Sequence, residues 1–150
     1  MNQSRVDELH QINYLTSEMD ALYHKSSLKL GITDSVSIVL YSIHDAGESC
    51  LLSDIYKRTG INKQTVNSAI RNLEADGMLY LEQHIGRTKA VILTDNGKAF
   101  VKKTIVKLCE AEAKAFDSWS VDEVNTYIRL MEKYVCCFRQ QIEALETVAK

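Results

Sequence analysis

Apolar and polar positions alternate at helical spacing from near the start of the chain. Over residues 5–30, Leu9, Ile12, Leu15, Met19, Leu22, Tyr23 and Leu30 fall mostly on one side of a helix, and Gly31 stops it. Thr33 or Asp34 caps a second helix that runs to about Ala46, with Val36, Val39, Leu40 and Ile43 as its apolar face. A short helix follows from Leu52 to about Thr59, closed by Gly60. Asn62 caps the next, which ends near Asp76 with Gly77 as its stop. There the period changes from helical to alternating. Met78–His84 and Thr88–Thr94 are strand-like runs separated by Ile85, Gly86 and Arg87, a hairpin in which only Gly86 suits a tight turn. From Thr94 or Asp95 one long helix is expected to about Phe116, and a last helix from Ser120 almost to the C-terminus.

The expected fold class is therefore mainly α with a small β-hairpin wing, a winged helix-turn-helix plus a helical dimerisation region. The 150 residues suit one domain, with residues 33–95 as the winged part and 1–30 and 96–150 as dimerisation helices. The chain has no proline and six glycines, which favours long helices. No apolar run reaches the roughly 20 residues of a membrane span. The polar, periodic first thirty residues are unlike a signal peptide. Four cysteines, at 50, 109, 136 and 137, show no disulfide or metal spacing, so reduced thiols and a cytoplasmic location are expected.

Residues 52–77 carry the most specific signal. A short helix, a turn at Gly60-Ile61-Asn62 and a second helix match a helix-turn-helix. At about 100° per residue, Val66, Ala69, Ile70 and Leu73 cluster on one side of the second helix. Lys63, Gln64, Asn67, Ser68 and Arg71 cluster on the other. Arg and Lys bond guanine edges, Gln and Asn bond adenine edges, and Ser suits phosphates or bases. No carboxylate is among the five, whereas a merely solvated face usually mixes charge signs. The hairpin tip adds His84, Gly86, Arg87 and Lys89, and a narrow minor groove attracts arginine. Charge distribution agrees. Residues 51–103 hold nine Lys/Arg against five Asp/Glu, a balance of +4, and the remainder nine against fifteen, a balance of −6.

Val121, Val124, Ile128, Met131, Val135, Phe138, Ile142 and Leu145 are spaced alternately by three and four, a heptad seam suited to a homodimer interface or to packing within one chain.

Over nearly its whole length the sequence resembles the MarR (multiple-antibiotic-resistance regulator) family. The resemblance rests on Leu52-Ser53-Asp54-Ile55, on Asn62-Lys63-Gln64-Thr65-Val66, on Asn72-Leu73-Glu74-Ala75-Asp76-Gly77-Met78, on Arg87, and on Leu93-Thr94-Asp95-Asn96-Gly97-Lys98. It implies a ligand-responsive transcription regulator, a repressor by expectation, acting as a homodimer on a near-palindromic double-stranded DNA operator. A small-molecule effector is an implied partner, and no cofactor or metal is expected. Carried over by position, Lys63, Gln64, Thr65, Asn67, Ser68 and Arg71 match the reading helix and Arg87 the wing arginine. One departure concerns the wing. The family often has an acidic residue two places before that arginine, and Ile85 stands there.

Other readings remain beside this one. His44, Asp45, Glu48 and Cys50 are all possible metal-ligand types close in sequence, with no strong motif spacing. Adjacent Cys136 and Cys137 diverge by about 100° on a helix and suit buried structural thiols better than a redox pair. Tyr23 and His24 lie where the family often binds aromatic effectors. No phosphate loop, nucleophile elbow or paired metal-binding histidines point to an enzyme. The second function class is a winged-helix protein–protein interaction module.

Overall fold

A computed structural model describes residues 3–147, so positions 1, 2 and 148–150 of the expected terminal helices lie outside the described residues. Ten elements follow in order: α1 (Gln3–Leu30), α2 (Asp34–Asp45), β1 (Ser49–Leu51), α3 (Leu52–Thr59), α4 (Lys63–Ala75), β2 (Leu79–Gln83), β3 (Lys89–Leu93), α5 (Asp95–Lys103), α6 (Ile105–Ala115) and α7 (Val121–Glu143). They form two compact units, one reaching to Cys109 and the other starting at Glu110. Among the described residues no helix is long and apolar enough to cross a membrane.

The first unit is built around one apolar core. Val39, Leu40 and Ile43 of α2, Ile55 of α3, Val66, Ala69, Ile70 and Leu73 of α4, and Leu79, Val91 and Leu93 of the sheet are all buried. The apolar stripes expected on the second and fourth helices are thus the faces that pack.

Two features differ from expectation. Ser49-Cys50-Leu51 forms a third strand, and the sheet order is β1-β3-β2, antiparallel throughout. Three residues are too few to show a period. The strand exists because β3 offers a free edge, with Ser49 opposite Ile92 and Leu51 opposite Ala90. Secondly, the helix expected from Thr94 or Asp95 to Phe116 is broken at Thr104, whose φ of −118° and ψ of −78° leave helical geometry. Thr104 donates from its hydroxyl to the Phe100 carbonyl at 2.8 Å, a back-bond that bends helices. The break lies between core residues Val101 and Ile105, both buried.

Candidate nucleic-acid interface

Helix α3 ends where Gly60 turns left-handed at φ 62°, and α4 starts three residues later, at Lys63. Asn62 caps α4, its side-chain oxygen accepting from the Gln64 amide at 2.7 Å. Burial of Val66, Ala69, Ile70 and Leu73 fixes the rotation of α4 about its axis. Lys63, Gln64, Thr65, Ser68 and Arg71 are consequently exposed. Asn67 is half-buried rather than fully outward. Its carbonyl oxygen accepts from the Tyr56 hydroxyl at 2.6 Å, which leaves the amide nitrogen free to donate. The Lys63 ammonium lies 5.4 Å from the centre of the same Tyr56 ring, within cation–π range. Tyr56 thus positions two of the expected reading residues, and sequence inspection did not single it out. Arg71 donates weakly to the Ser68 hydroxyl at 3.4 Å. Glu74 comes one turn further on, near the end of α4.

The wing is β2 and β3, paired from Leu79 opposite Leu93 to Gln83 opposite Lys89. Its tip, residues 84–88, is tied by several bonds. The His84 amide donates to the Thr88 carbonyl at 2.9 Å, and the Thr88 hydroxyl to the Ile85 carbonyl at 2.6 Å. Gln83, another residue that sequence reading passed over, donates to the Gly86 carbonyl at 2.6 Å and the Thr88 carbonyl at 3.2 Å. Gly86 sits at φ 68°, the conformation that the turn needs at its first central position. Arg87 lies in this tip and Lys89 opens β3 beside it, both exposed.

Among the described residues Lys63, Arg71, Arg87 and Lys89 form no ion pair with a carboxylate, whereas Arg58 pairs with Asp45 and Lys98 with Glu48. Free cations on a convex helix and a hairpin tip are able to meet phosphates and base edges without first breaking an internal pair.

Residues 30–87 match the model of the MarR family. That segment is similar to the MarR family. No curated protein sequence matches the chain. Solved structures share the fold. A MarR family regulator from Neisseria meningitidis superposes with a TM-score of 0.81 at 19% identity, covering 95% of this chain and 98% of its own. A MarR family transcriptional regulator from Streptomyces coelicolor, in complex with DNA, gives 0.75 at 15% identity, covering 90% and 91%. BpsR of Bordetella bronchiseptica, whose DNA binding is regulated by 6-hydroxynicotinic acid, gives 0.65 at 23% identity, covering 83% and 98%.

The MarR sequence elements have local physical causes here. Gly77 is left-handed at φ 70°, closing α4 while the Met78 amide reaches back to the Leu73 carbonyl at 2.8 Å. Thr94 caps α5, accepting from the Gly97 amide at 3.0 Å, and donates to the Gly77 carbonyl at 2.6 Å. A Cβ on Gly97 would stand 1.8 Å from the Met78 carbonyl oxygen, so glycine is required there. At the wing, Ile85 is 83% exposed where a carboxylate would orient the MarR arginine.

The remaining candidates separate. Among the described residues no three His, Cys, Asp or Glu side chains assemble as a group of metal ligands, and Asp45 and Glu48 are taken by Arg58 and Lys98. Burial pushes the half-buried Cys50 thiol up, with Asp54 adding to the shift and Arg58 opposing it, so it is not an activated thiolate. Cys136 and Cys137 are exposed, which corrects the expectation of buried thiols, because α7 buries no residue within this chain. His24 places Nδ1 2.7 Å from an Asp34 carboxylate oxygen. That bond, then one from Ser27, holds the Asp34 carboxyl below its usual range. His24 therefore links α1 to the start of α2. The seam residues from Val121 to Ile142 lie on α7, exposed except for half-buried Val124, and Leu145 falls just past the helix end.

Proposed function

We propose that this chain is a sequence-specific DNA-binding transcription regulator, acting as a homodimer on a near-palindromic operator and responding to a small-molecule effector. Residues 33–95 form the reading part, and residues 1–30 and 96–150 supply the helices for pairing. The carrying observation is the set of polar side chains on α4 and the wing, with its cations free of carboxylate partners among the described residues: Lys63, Gln64, Thr65, Asn67, Ser68, Arg71, Arg87 and Lys89. The match of residues 30–87 to the MarR family model supports the reading, as does the DNA-bound structure of the same fold. Effector response is supported by the relative whose DNA binding is regulated by 6-hydroxynicotinic acid. In this reading α4 enters the major groove, and two copies in a dimer meet half-sites about 10 base pairs apart.

The test begins with an operator selected by the parent protein from a randomised duplex pool. Gln64→Ala and Arg71→Ala should weaken that operator more than random DNA, by about 1–3 kcal/mol. Arg87→Ala and Lys89→Ala should weaken both alike and lower the salt slope by about one unit for each phosphate no longer neutralised. Parent-like operator binding by the α4 variants, or no selectable sequence at all, would favour a protein-binding module instead.

A further inference from the structure

The second unit carries a recess that the DNA-reading proposal does not use. It is an open hollow of about 430 Å³ lined by Trp119, Asp122, Glu123, Thr126, Tyr127 and Leu130. Its aromatic wall is ordered. Phe116 and Trp119 meet edge to face at 5.0 Å between ring centres, and Trp119 and Tyr127 at 5.6 Å. Its rim is acidic. Asp122 makes no ion pair among the described residues, and Glu123 is held as a carboxylate by the Ser120 amide at 2.7 Å. No lysine or arginine lines it.

The geometry points to a binding site for a hydrophobic organic cation, an aryl or alkyl ammonium or phosphonium. Ring faces attract a cation within about 6 Å and gain most when its shell is apolar enough to shed water. Two carboxylates at the rim repel anions and add Coulomb attraction for a cation. Leu130 and the rings supply the apolar floor such an ion needs. The recess faces largely away from the α7 seam. At about 100° per residue, the centre of its α7 residues lies about 150° around the helix from the line through Val124, Ile128 and Val135, and only Tyr127 comes near the seam, beside Phe138. The inference stands apart from DNA binding and survives if that reading fails.

Trp119 is the single tryptophan of the chain, so its fluorescence reports on this hollow alone. The full-length protein is titrated with tetraphenylphosphonium and, separately, with tetraphenylborate, an anion of nearly the same size and shape. A saturable change with the cation is expected, with binding at least tenfold weaker for the anion. Asp122→Asn leaves the capping bonds of Ser120 and Glu123 intact and should weaken cation binding about threefold to tenfold. Tyr127→Leu, which keeps the bulk and removes the ring, should weaken it comparably. Circular dichroism of each variant checks that the helix is retained. Equal response to both ions, a response that never saturates, or a parent-like curve from folded Asp122→Asn overturns the proposal.

Discussion

Tyr56 sits on the supporting helix, yet two side chains proposed to read DNA lean on it. Its hydroxyl holds the Asn67 carbonyl at 2.6 Å, and its ring lies under the Lys63 ammonium. A half-buried amide with one orientation discriminates bases better than a free rotor, because its donor is already aimed. Tyr56→Phe should therefore lower stability by about 0.5–1.5 kcal/mol and weaken the selected operator, although Tyr56 itself need touch no base. Chemical denaturation and competition binding on the same preparation check both halves. Operator affinity equal to the parent's would show that the Asn67 amide is not read in this orientation. Gly97 is constrained just as locally. With Met78's carbonyl oxygen 1.8 Å from where a Cβ would stand, Gly97→Ala must displace the start of α5, at a cost of about 3 kcal/mol or more. A urea midpoint close to the parent's would contradict that.

Among the elements, the helix starts carry the clearest chemistry. Thr94 Oγ1 joins the start of α5 to the turn that ends α4, by accepting from Gly97 and donating to the Gly77 carbonyl. Thr94→Ala should cost about 1–2 kcal/mol in denaturant unfolding, and Thr94→Ser much less, since the hydroxyl remains. Ser120 and Glu123 form a reciprocal capping box at the start of α7. Hydrogen bonds from the Ser120 amide, then from its side chain, hold the Glu123 carboxyl below its ordinary range. Folding therefore favours the charged form. The resulting stabilisation is present above the ordinary glutamate value of about 4.3 and disappears as pH falls through the lower folded value. A Glu123→Gln variant should accordingly differ from the parent above that range, and the gap should narrow on acidification. Thermal melts at stepped pH measure the gap, and one that widens toward low pH would refute the assignment.

For the whole molecule, the decisive surface is the one left open. Helix α7 has no buried residue, while Ile128, Met131, Val135, Phe138 and Ile142 are each about half exposed along one line. Helix α1 likewise exposes Ile12, Leu15, Met19 and Leu22 and buries only Ser27. Apolar area on this scale is unusual on a monomer and normal at an obligate interface. The parent should sediment at about twice 17.0 kDa at micromolar concentration. Ile128→Asp together with Val135→Asp should yield monomer or aggregate, because unpaired charge would be buried in the seam. A stable parent monomer would remove the dimer from the proposal, and with it the paired half-sites.

Much of this fold was legible in the chain because its signals are local. Stripes such as Val66, Ala69, Ile70 and Leu73 repeat at the helical period, and Gly31, Gly60 and Gly77 mark stops that need left-handed backbone. The same periodicity sorted the proposed reading face from the core, since burying one side of α4 exposes the other. Local signals fail where a partner is distant. Strand β1 has three residues and no period of its own, and it exists only because β3 presents an edge to it. The break at Thr104, between buried Val101 and Ile105, leaves no mark in the apolar period, because residues four apart share a face whether or not the helix bends between them. The half-buried orientation of Asn67 and its bond to Tyr56 depend on how α3 crosses α4, eleven positions away along the chain. Sequence thus determined which faces are apolar and which residues carry charge, because those properties belong to single side chains and their spacing. Tertiary structure alone decided which side chains hold one another, because that depends on distances through space.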